Sequence, residues 1–430
     1  MESLKLKEHD NVSLESLSEG LRGFLSTCRL LKNGYMEPPK YLGLGWKNDT
    51  ILQASYYIGA SWLVENESAI VVTPKMGNID FVEMFITALA VDSDPEVNYF
   101  SRCYGIEFDA PKITVEKNLC QVTPLILLHY VTLLEKLVKR GLKKGYVNQE
   151  DNLNSKIRGR IYVPAHVQQN VCTQREDRAY CRFQEYTEDI PENRLLKKAL
   201  YFAYRGICSY KSFDKYRVEL QSRLNKLFAA FINVSSDIEV YQVARVSHNK
   251  LFRHYSEAIH VAKMLLQHFD NSIRNVDREE SYETAPFWID MARLFELYTY
   301  SKLNEKYPDQ IEFQKKGRTG TSDYLKIAKG NSTERLILDA KYKPYYESGE
   351  IGWEDIQEIS GYARDKKLLA ELGWFKNGEL NVQDVPPCVV IYPEYGEVND
   401  TFGENLLDNA EVVSDYTNFY KIAVKVPRLQ

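Results

Sequence analysis

The stretch TSDYLKIAKGNSTERLILDAKYK, residues 321–343, decides how the C-terminal part of the chain folds. Its second half contains the apolar run 336–338, which predicts a buried strand. The strand ends in an acid-x-lysine triplet formed by Asp339 and Lys341. Side chains two residues apart face the same side of a strand, so these two groups are expected to project together.

A second strand is predicted at 324–328, and the polar residues 330–332 predict the turn that joins the two strands. If the turn is centred on Asn331, Asp323 lies opposite Asp339 across the hairpin. Cross-strand partners are about 5 Å apart at Cβ. Two carboxylates that close repel each other unless a cation lies between them or one of them stays protonated.

A divalent metal beside a lysine is an arrangement that cleaves phosphodiester bonds. The metal polarises the phosphate and lowers the pKa of a bound water, and the lysine stabilises developing charge or positions the nucleophile. The alternative is an exposed hairpin held by ion pairs, and the spacing alone leaves both open. A second triplet, Asp365 to Lys367, follows a helical segment and is interpreted as a solvated face.

Composition and charge limit the possible functions. The 430 residues suffice for two or three domains, and a net charge of −5 argues against a protein that binds polyanions over its whole surface. The seven cysteines form no CxxC pair, which is typical of free thiols in a reducing compartment. The sequence has no signal-type apolar segment and no apolar run of membrane-spanning length, so we expect a soluble, cytoplasmic protein without a membrane partner.

The fold class predicted is α/β (α+β), in three regions. Residues 1–120 predict a β-rich module, with strands at 56–64 and 69–73 and a helix at 81–90. Residues 121–279 predict a mainly helical region. Residues 280–430 predict an α/β domain with acidic residues gathered at one edge of its sheet.

The middle region begins with a helix predicted at 124–144, with Thr123 as its N-cap and Pro124 in the first turn. Its lysine-rich C-terminal end is either a solvated face or a contact for nucleic acid or an acidic partner. Further helices are predicted at 191–204, 216–231 and 251–269. The histidines at positions 248, 254, 260 and 268 lack the spacing of metal ligands. No GxxxxGK[ST] motif occurs in the chain, so it is not expected to bind a nucleotide.

In the last region, a helix is predicted to start at Pro286 and to stop before Pro308. It carries Glu296, which is either a surface glutamate or a carboxylate aimed at the predicted metal. A strand at 310–314, a helix at 353–369 and strands at 387–392 and 418–426 complete the region. Basic residues flank the carboxylate hairpin, where a phosphate backbone would lie: Lys315, Lys316, Arg318, Lys326, Lys329, Arg335, Lys341 and Lys343.

The order Glu296, Asp323, Asp339-x-Lys341 resembles the PD-(D/E)xK nuclease core. More narrowly, the chain resembles McrC, the nuclease subunit of McrBC-type 5-methylcytosine (modification-dependent) restriction systems. The resemblance rests on FWIDMARLFELY (287–298), LILDAKYKPYY (336–346) and EDIQEISGYARDKK (354–367). It extends upstream to TPK (73–75), RGRI (158–161) and FQEYTEDIPENRLLKKAL (183–200), and leaves the first 50 residues uncovered.

The resemblance implies a restriction-endonuclease-like domain at 280–430 that cleaves DNA with Mg²⁺ or Mn²⁺. It implies Glu296, Asp323 and Asp339 as metal ligands, and Asp323, Asp339 and Lys341 as catalytic residues. Ser322 stands where the motif name has proline. The glutamine that often lies four residues before a tyrosine in this core is replaced by Glu358, with Gln357 one position early, and which of these two faces the site stays open.

The resemblance also implies partners: modified DNA and a hexameric AAA+ GTPase similar to McrB, whose GTP hydrolysis the N-terminal part of the chain would stimulate. In this family the N-terminal part of McrC docks into the ring of the motor, and the helix at 124–144 is a candidate element of the docking region. Two alternatives stay open, a stand-alone DNA-repair or RNA-processing nuclease and a catalytically inactive adaptor that only activates the motor.

Overall fold

The computed structural model describes residues 2–27, 40–77, 79–89, 102–107, 110–116, 122–243, 253–268, 281–318, 320–330, 332–347, 349–395 and 402–428. The fold is mixed α/β, as the sequence predicted. The chain divides into two compact units, one formed by Met1–Val122 together with Glu279–Gln430 and the other by Thr123–Arg278. The first and last of the three regions predicted from the sequence therefore fall into one unit.

The helices of the described residues are α1 Glu19–Thr27, α2 Phe81–Leu89, α3 Val122–Arg140, α4 Val163–His166, α5 Pro191–Ser209, α6 Arg217–Ala230, α7 Arg253–His268, α8 Met291–Lys306, α9 Trp353–Tyr362 and α10 Lys366–Leu372. None of these helices combines the length and apolar character that a membrane crossing requires.

The strands are β1 Glu2–Lys7, β2 Asn11–Ser13, β3 Gly45–Trp46, β4 Ile51–Gln53, β5 Tyr57–Val64, β6 Ser68–Thr73, β7 Tyr104–Ile106, β8 Ile113–Glu116, β9 Gly145–Asn154, β10 Arg160–Ile161, β11 Arg178–Thr187, β12 Ser281–Thr284, β13 Phe287–Asp290, β14 Ile311–Lys316, β15 Thr321–Lys326, β16 Leu336–Ala340, β17 Phe375–Lys376, β18 Glu379–Leu380, β19 Cys388–Tyr395, β20 Glu411–Val412 and β21 Phe419–Val426.

A six-stranded mixed sheet with the order β14-β15-β16-β19-β21-β20 forms the C-terminal part of the first unit. Strands β14, β15 and β16 pair antiparallel, whereas β16, β19 and β21 pair parallel. Every residue of β16 is buried, as expected for a central strand covered on both faces. On one face, Ile337 and Val390 of the sheet share a core with Ile356 and Ile359 of α9.

A five-stranded sheet with the order β1-β6-β5-β13-β7 joins the two ends of the chain within the same unit. Strand β13, which the sequence had predicted as the start of a helix, lies antiparallel between β5 and β7. Gly59 makes this pairing possible, because a Cβ there would lie 2.1 Å from the carbonyl oxygen of Phe287. Asp290 then caps α8 by accepting a hydrogen bond from the main-chain N–H of Arg293 at 3.0 Å.

The second unit contains the helices predicted for the middle of the chain. Hydrogen bonds tie them together: the Tyr130 hydroxyl on α3 donates to the carbonyl of Leu196 on α5 at 2.7 Å, and the Tyr255 hydroxyl on α7 donates to Asn193 Oδ1 at 3.0 Å. Helix α3 starts at Val122, so Thr123, predicted as its N-cap, lies inside the first turn.

The sheet β10-β11-β9 in this unit was not predicted. Strand β9, with the sequence GYVNQEDNLN, is rich in Asn and also contains Asp, and both residue types are depleted in strands. Its pairing with β11 along the whole length of both strands supplies the stability that its composition lacks.

Candidate active site

The hairpin β15–β16 has the predicted register. Tyr324 lies opposite Leu338 and Leu325 opposite Ile337. Asn331, the predicted centre of the turn, lies outside the described residues. Strand β15 ends at Lys326 and strand β16 begins at Leu336, so the connection between them is longer than the predicted turn.

Asp323 and Asp339 are both buried at the end of this hairpin. Asp323 Oδ2 accepts a hydrogen bond from the main-chain N–H of Ala340 at 2.9 Å. Burial raises the pKa of Asp323 well above its ordinary value, and the charges of Glu296 and Asp339 raise it further. The pKa of Asp339 is raised mainly by burial, an effect that the Lys341 ammonium partly offsets.

Glu296 reaches the same place from α8. Its Oε2 and Asp323 Oδ1 each lie 3.3 Å from Nε2 of Gln314, which donates to both. The Tyr324 hydroxyl on β15 also donates to the main-chain oxygen of Glu296 at 2.7 Å. The helix is thereby tied to the hairpin at the residue that carries the third carboxylate.

Gln314 is a site residue that the sequence reasoning missed. It lies in β14 with φ 50°, a left-handed conformation that is rare for a residue with a side chain and is often retained at functional sites. The strand containing it was predicted, but nothing in the sequence indicated that its amide lies between two carboxylates.

Lys341 completes the cluster, as the acid-x-lysine spacing predicted. Its Nζ lies 2.7 Å from Asp339 Oδ2 and 2.8 Å from Glu358 Oε2. Burial acts to lower the pKa of Lys341, but the charges of Asp339 and Glu358 outweigh it and raise the pKa above its ordinary value. The Tyr362 hydroxyl donates to Glu358 Oε1 at 2.8 Å, which fixes that carboxylate beside the lysine.

Glu358, therefore, and not Gln357, is the α9 residue that contacts the cluster. Both residues are exposed to solvent, and the contact of Glu358 with Lys341 is what distinguishes them. Residues 358 and 362 are one turn apart and lie on the same helix face. This contact with Lys341 favours Glu358 as the residue that faces the candidate site.

In the part of the chain that the structure describes, no three His, Cys, Asp or Glu side chains lie close enough together to enclose a metal ion. Mg²⁺ does not need such a cage, because it keeps several waters and is commonly held by one or two carboxylates and a substrate phosphate. Asp339 Oδ2 is buried and has the Lys341 ammonium at 2.7 Å as its ion-pair partner. Asp323 and Asp339, with Glu296 nearby, therefore have the chemistry of a site for a hard cation.

Part of the predicted basic patch is not at the surface. Lys326 is fully buried, and its Nζ lies 2.6 Å from Glu334 Oε2 and 4.5 Å from the centre of the Tyr307 ring. Lys316 and Arg318 are exposed. A phosphate backbone could be contacted by these two residues but not by Lys326.

The second acid-x-lysine triplet also differs from its prediction. Asp365 is buried and caps α10, accepting a hydrogen bond from the main-chain N–H of Lys367 at 2.9 Å. Its other oxygen accepts from the main-chain N–H of Arg318. The predicted solvated face is therefore a structural cap, although Lys367 itself is exposed.

The fold and the cluster together define a class: a mixed α/β protein with carboxylates and a lysine gathered on the central hairpin of a sheet. A family model described as McrBC 5-methylcytosine restriction system component matches residues 52–360. The chain belongs to this family. The family resemblance seen in the sequence motifs is thus confirmed.

Two solved structures are similar to the chain. One is a refined half-complex from the tetradecameric assembly of Thermococcus gammatolerans McrB AAA+ hexamers with bound McrC, with 16% identity and a TM-score of 0.39 over 98% of this chain and 94% of that chain. The other is the cryo-EM structure of the Thermococcus gammatolerans McrBC complex, with 16% identity and a TM-score of 0.31 over 71% of this chain and 88% of that chain. No curated protein matches the chain.

Proposed function

We propose that the chain is a McrC-type nuclease subunit, which cleaves DNA phosphodiester bonds with a divalent cation in a cytoplasmic modification-dependent restriction complex. The observation that carries the proposal is the convergence of Asp323, Asp339 and Lys341 in a chain that belongs to the McrBC family. The interaction of Asp323 with both Glu296 and Asp339 supports a shared cation.

Asp323 and Asp339 would hold Mg²⁺ or Mn²⁺, with Glu296 as the third carboxylate. The cation would supply polarisation of the phosphate and an acidified water. Gln314 keeps Glu296 and Asp323 within reach of one amide group, and so orients both.

Lys341 would act as a cation rather than as a base. The charges of Asp339 and Glu358 favour its ammonium form in the protein without metal. An ammonium beside the carboxylates can stabilise the negative charge that develops on a phosphate. Glu358 and Asp339 hold the ammonium at the site from two sides.

The partner would be an AAA+ GTPase hexamer, as in the McrB–McrC assembly named above. The second unit exposes the apolar side chains of Ile157, Val163, Val167 and Val171 within a short segment. Exposed apolar side chains close together are typical of protein–protein contacts. They make this segment a better candidate for docking than α3, whose apolar side is buried.

The test is cleavage of methylated and unmethylated DNA by the full chain together with a McrB-type AAA+ GTPase, in the presence of GTP and Mg²⁺. Asp339→Asn and Lys341→Met are expected to lower the cleavage rate by about 10²-fold or more, because each removes a group required in the transition state. Stimulation of GTP hydrolysis by the chain should persist in both variants.

Lys366→Met is the control, since it changes an exposed lysine at the start of α10, whereas Lys367 Nζ donates to the main-chain oxygen of Lys316. Cleavage at the wild-type rate by Lys341→Met, or full activity in chelator, would contradict the proposal. A wild-type chain that stimulates the GTPase but cleaves no DNA would establish the adaptor alternative instead.

A further inference from the structure

The TPK segment has a structural partner that the proposed function does not use. Lys75 follows β6, and its Nζ donates to the main-chain oxygen of Tyr342 at 2.5 Å. The same ammonium lies 4.3 Å from the centre of the Tyr342 ring. A residue of the N-terminal part of the chain therefore makes two contacts with the residue next to Lys341.

Glu8, at the end of β1, closes this cluster. It is buried, and its Oε2 accepts a hydrogen bond from the main-chain N–H of Lys75 at 2.9 Å. Burial raises the pKa of Glu8 to about 7, against the opposing effects of the Lys75 ammonium and of the hydrogen bond from the Lys75 main-chain N–H. Burial likewise lowers the pKa of Lys75 to about 8. Lys75 thus links the buried Glu8 to the buried Tyr342.

Tyr342 connects this set to the candidate active site. Lys341 extends β16 by donating its N–H to the carbonyl of Ile391 at 2.8 Å, and the N–H of Lys343 donates to the carbonyl of Lys341 at 2.7 Å. Tyr342 is therefore the central residue of a three-residue turn. A shift of Tyr342 would change the direction in which Lys341 leaves the strand.

Tyr342 also contacts the helix that carries the third carboxylate. Its ring centre lies 5.8 Å from that of Phe295, the residue before Glu296. Tyr342, which lies in the turn after β16, thereby connects that turn to helix α8. Each of these two elements lies next to a residue of the candidate site, Lys341 and Glu296. The position of Tyr342 is set by Glu8 and Lys75.

We propose that Lys75 and Glu8 are positioning residues of the candidate active site. They hold Tyr342, and through it they fix the direction of Lys341 and the place of Glu296. The inference rests on the proposed nuclease function for its kinetic consequence, but the contact itself belongs to the protein without metal or DNA. The N-terminal part of the chain is then a component of the catalytic geometry.

The test uses Lys75→Met, which keeps the length of the side chain and removes both contacts of the ammonium. Glu8 can take up a proton when its cation is lost, because its pKa is already raised to about 7, so the variant is expected to fold. Lys7→Met is the matched control: it changes the exposed lysine next to Glu8. Lys75→Arg tests rescue by a second cation.

The first measurement is hydrogen exchange of residues 341–346 in metal-free full-length protein. Exchange in this segment should be faster in Lys75→Met than in wild type, unchanged in Lys7→Met and partly restored in Lys75→Arg. The second is single-turnover cleavage by the complete complex. Its cleavage rate constant should fall about tenfold to a hundredfold without a change in DNA affinity, as expected for displaced catalytic groups. The thermal midpoint should stay near that of wild type.

If Lys75→Met shows the wild-type exchange in residues 341–346 and the wild-type cleavage rate constant, the inference is overturned. A lower thermal midpoint with a normal cleavage rate constant in the folded fraction would also overturn it, because it would assign Lys75 to stability alone. If the wild-type chain cleaves no DNA with any metal, the proposed function fails, and the exchange measurement still decides whether Lys75 holds the segment.

Discussion

Asp323 carries a charge that its surroundings disfavour. It is buried, it faces the charges of two other carboxylates, and in the protein without metal its main compensation is one main-chain N–H together with the charge of Lys341. Such a group lowers stability and is retained where binding of a cation compensates for the cost.

We predict that Asp323→Asn stabilises the metal-free protein, and increasingly so as the pH rises. The folded-state pKa of Asp323 is raised, so its favourable contribution is present at low pH, where the acid is protonated, and is lost as the pH rises through that pKa. Asparagine stays neutral and can still accept the hydrogen bond from Ala340. We expect a gain of about 0.5–2 kcal/mol at pH 8 and a smaller gain at pH 5.

Urea denaturation in chelator at both pH values measures this difference. Asp384→Asn is the control of opposite sign, because hydrogen bonds from Asn381 and Lys376 lower the pKa of that exposed acid, and its replacement should not stabilise the protein. An equal stability change for Asp323→Asn at pH 5 and pH 8 would show that its charge is not disfavoured.

The residues of the candidate site differ in how well the sequence could reveal them. Strand alternation and the turn position suffice to bring Asp323, Asp339 and Lys341 together, since both depend on local chain geometry. Gln314 and Lys75 could not be found in this way. Their contacts depend on a left-handed residue in β14 and on a side chain that bridges 267 positions of sequence.

At the scale of the elements, burial divides the basic residues of the central sheet into two groups. Five of the six residues of β15 are buried, and Lys326 is one of them. Its ammonium forms an ion pair with Glu334 inside the protein. At the end of β14 and in the loop after it, Lys316 and Arg318 are exposed. Charge counted along the sequence cannot separate these groups, because it ignores which face of a strand is covered.

We predict that Lys316→Ala and Arg318→Ala weaken DNA binding and that each reduces the salt dependence by about one phosphate contact. Lys326→Met should leave the salt dependence unchanged and instead lower stability by about 3–5 kcal/mol, because it leaves Glu334 without its buried cation. Binding titrations between low and moderate salt give the slope. If the slope is unchanged in Lys316→Ala and Arg318→Ala and reduced in Lys326→Met, the assignment of the basic surface is wrong.

The elements also differ in how far local pattern determines them. Helices α5, α6 and α7 follow from apolar periodicity, which acts over a few turns. Strand β13 does not: its sequence FWID has the apolar character of the helix that follows it, and only pairing with β5 and β7 makes it a strand. Strand β9 likewise depends on its partner β11. Both errors arose where long-range pairing overrode local preference.

At the scale of the whole molecule, the sequence of one unit is interrupted by the sequence of the other. One unit is made from both ends of the chain and the other is the continuous segment Thr123–Arg278. The sheet β1-β6-β5-β13-β7 is the physical reason, since its fourth strand comes from a region about two hundred residues after the third in sequence. A cut near residue 280 therefore divides a sheet and does not fall between two independent domains.

We predict that a chain ending at residue 279 does not form its N-terminal unit. The cut removes β13, which leaves β5 and β7 without the strand between them and removes the buried side chains of Phe287 and Ile289. Each buried side chain of this size contributes about 1.5–3 kcal/mol, and the ladder hydrogen bonds are lost as well, which together approach the whole stability of a domain. The segment 123–278 keeps its own helices and sheet and is expected to unfold cooperatively by itself.

Thermal melts followed by circular dichroism, with limited proteolysis of both fragments, test this prediction. The 1–279 fragment should show cleavage throughout residues 1–122 and a melt that matches that of 123–278 alone. A fragment 1–279 with a protected N-terminal sheet would mean that β5 and β7 hold together without β13.

The same fragments also bear on where an AAA+ partner docks. Loss of partner binding by 1–279 could result from an unfolded N-terminal sheet as well as from a missing contact. Binding by 123–278 is therefore the measurement that assigns the docking surface to the second unit.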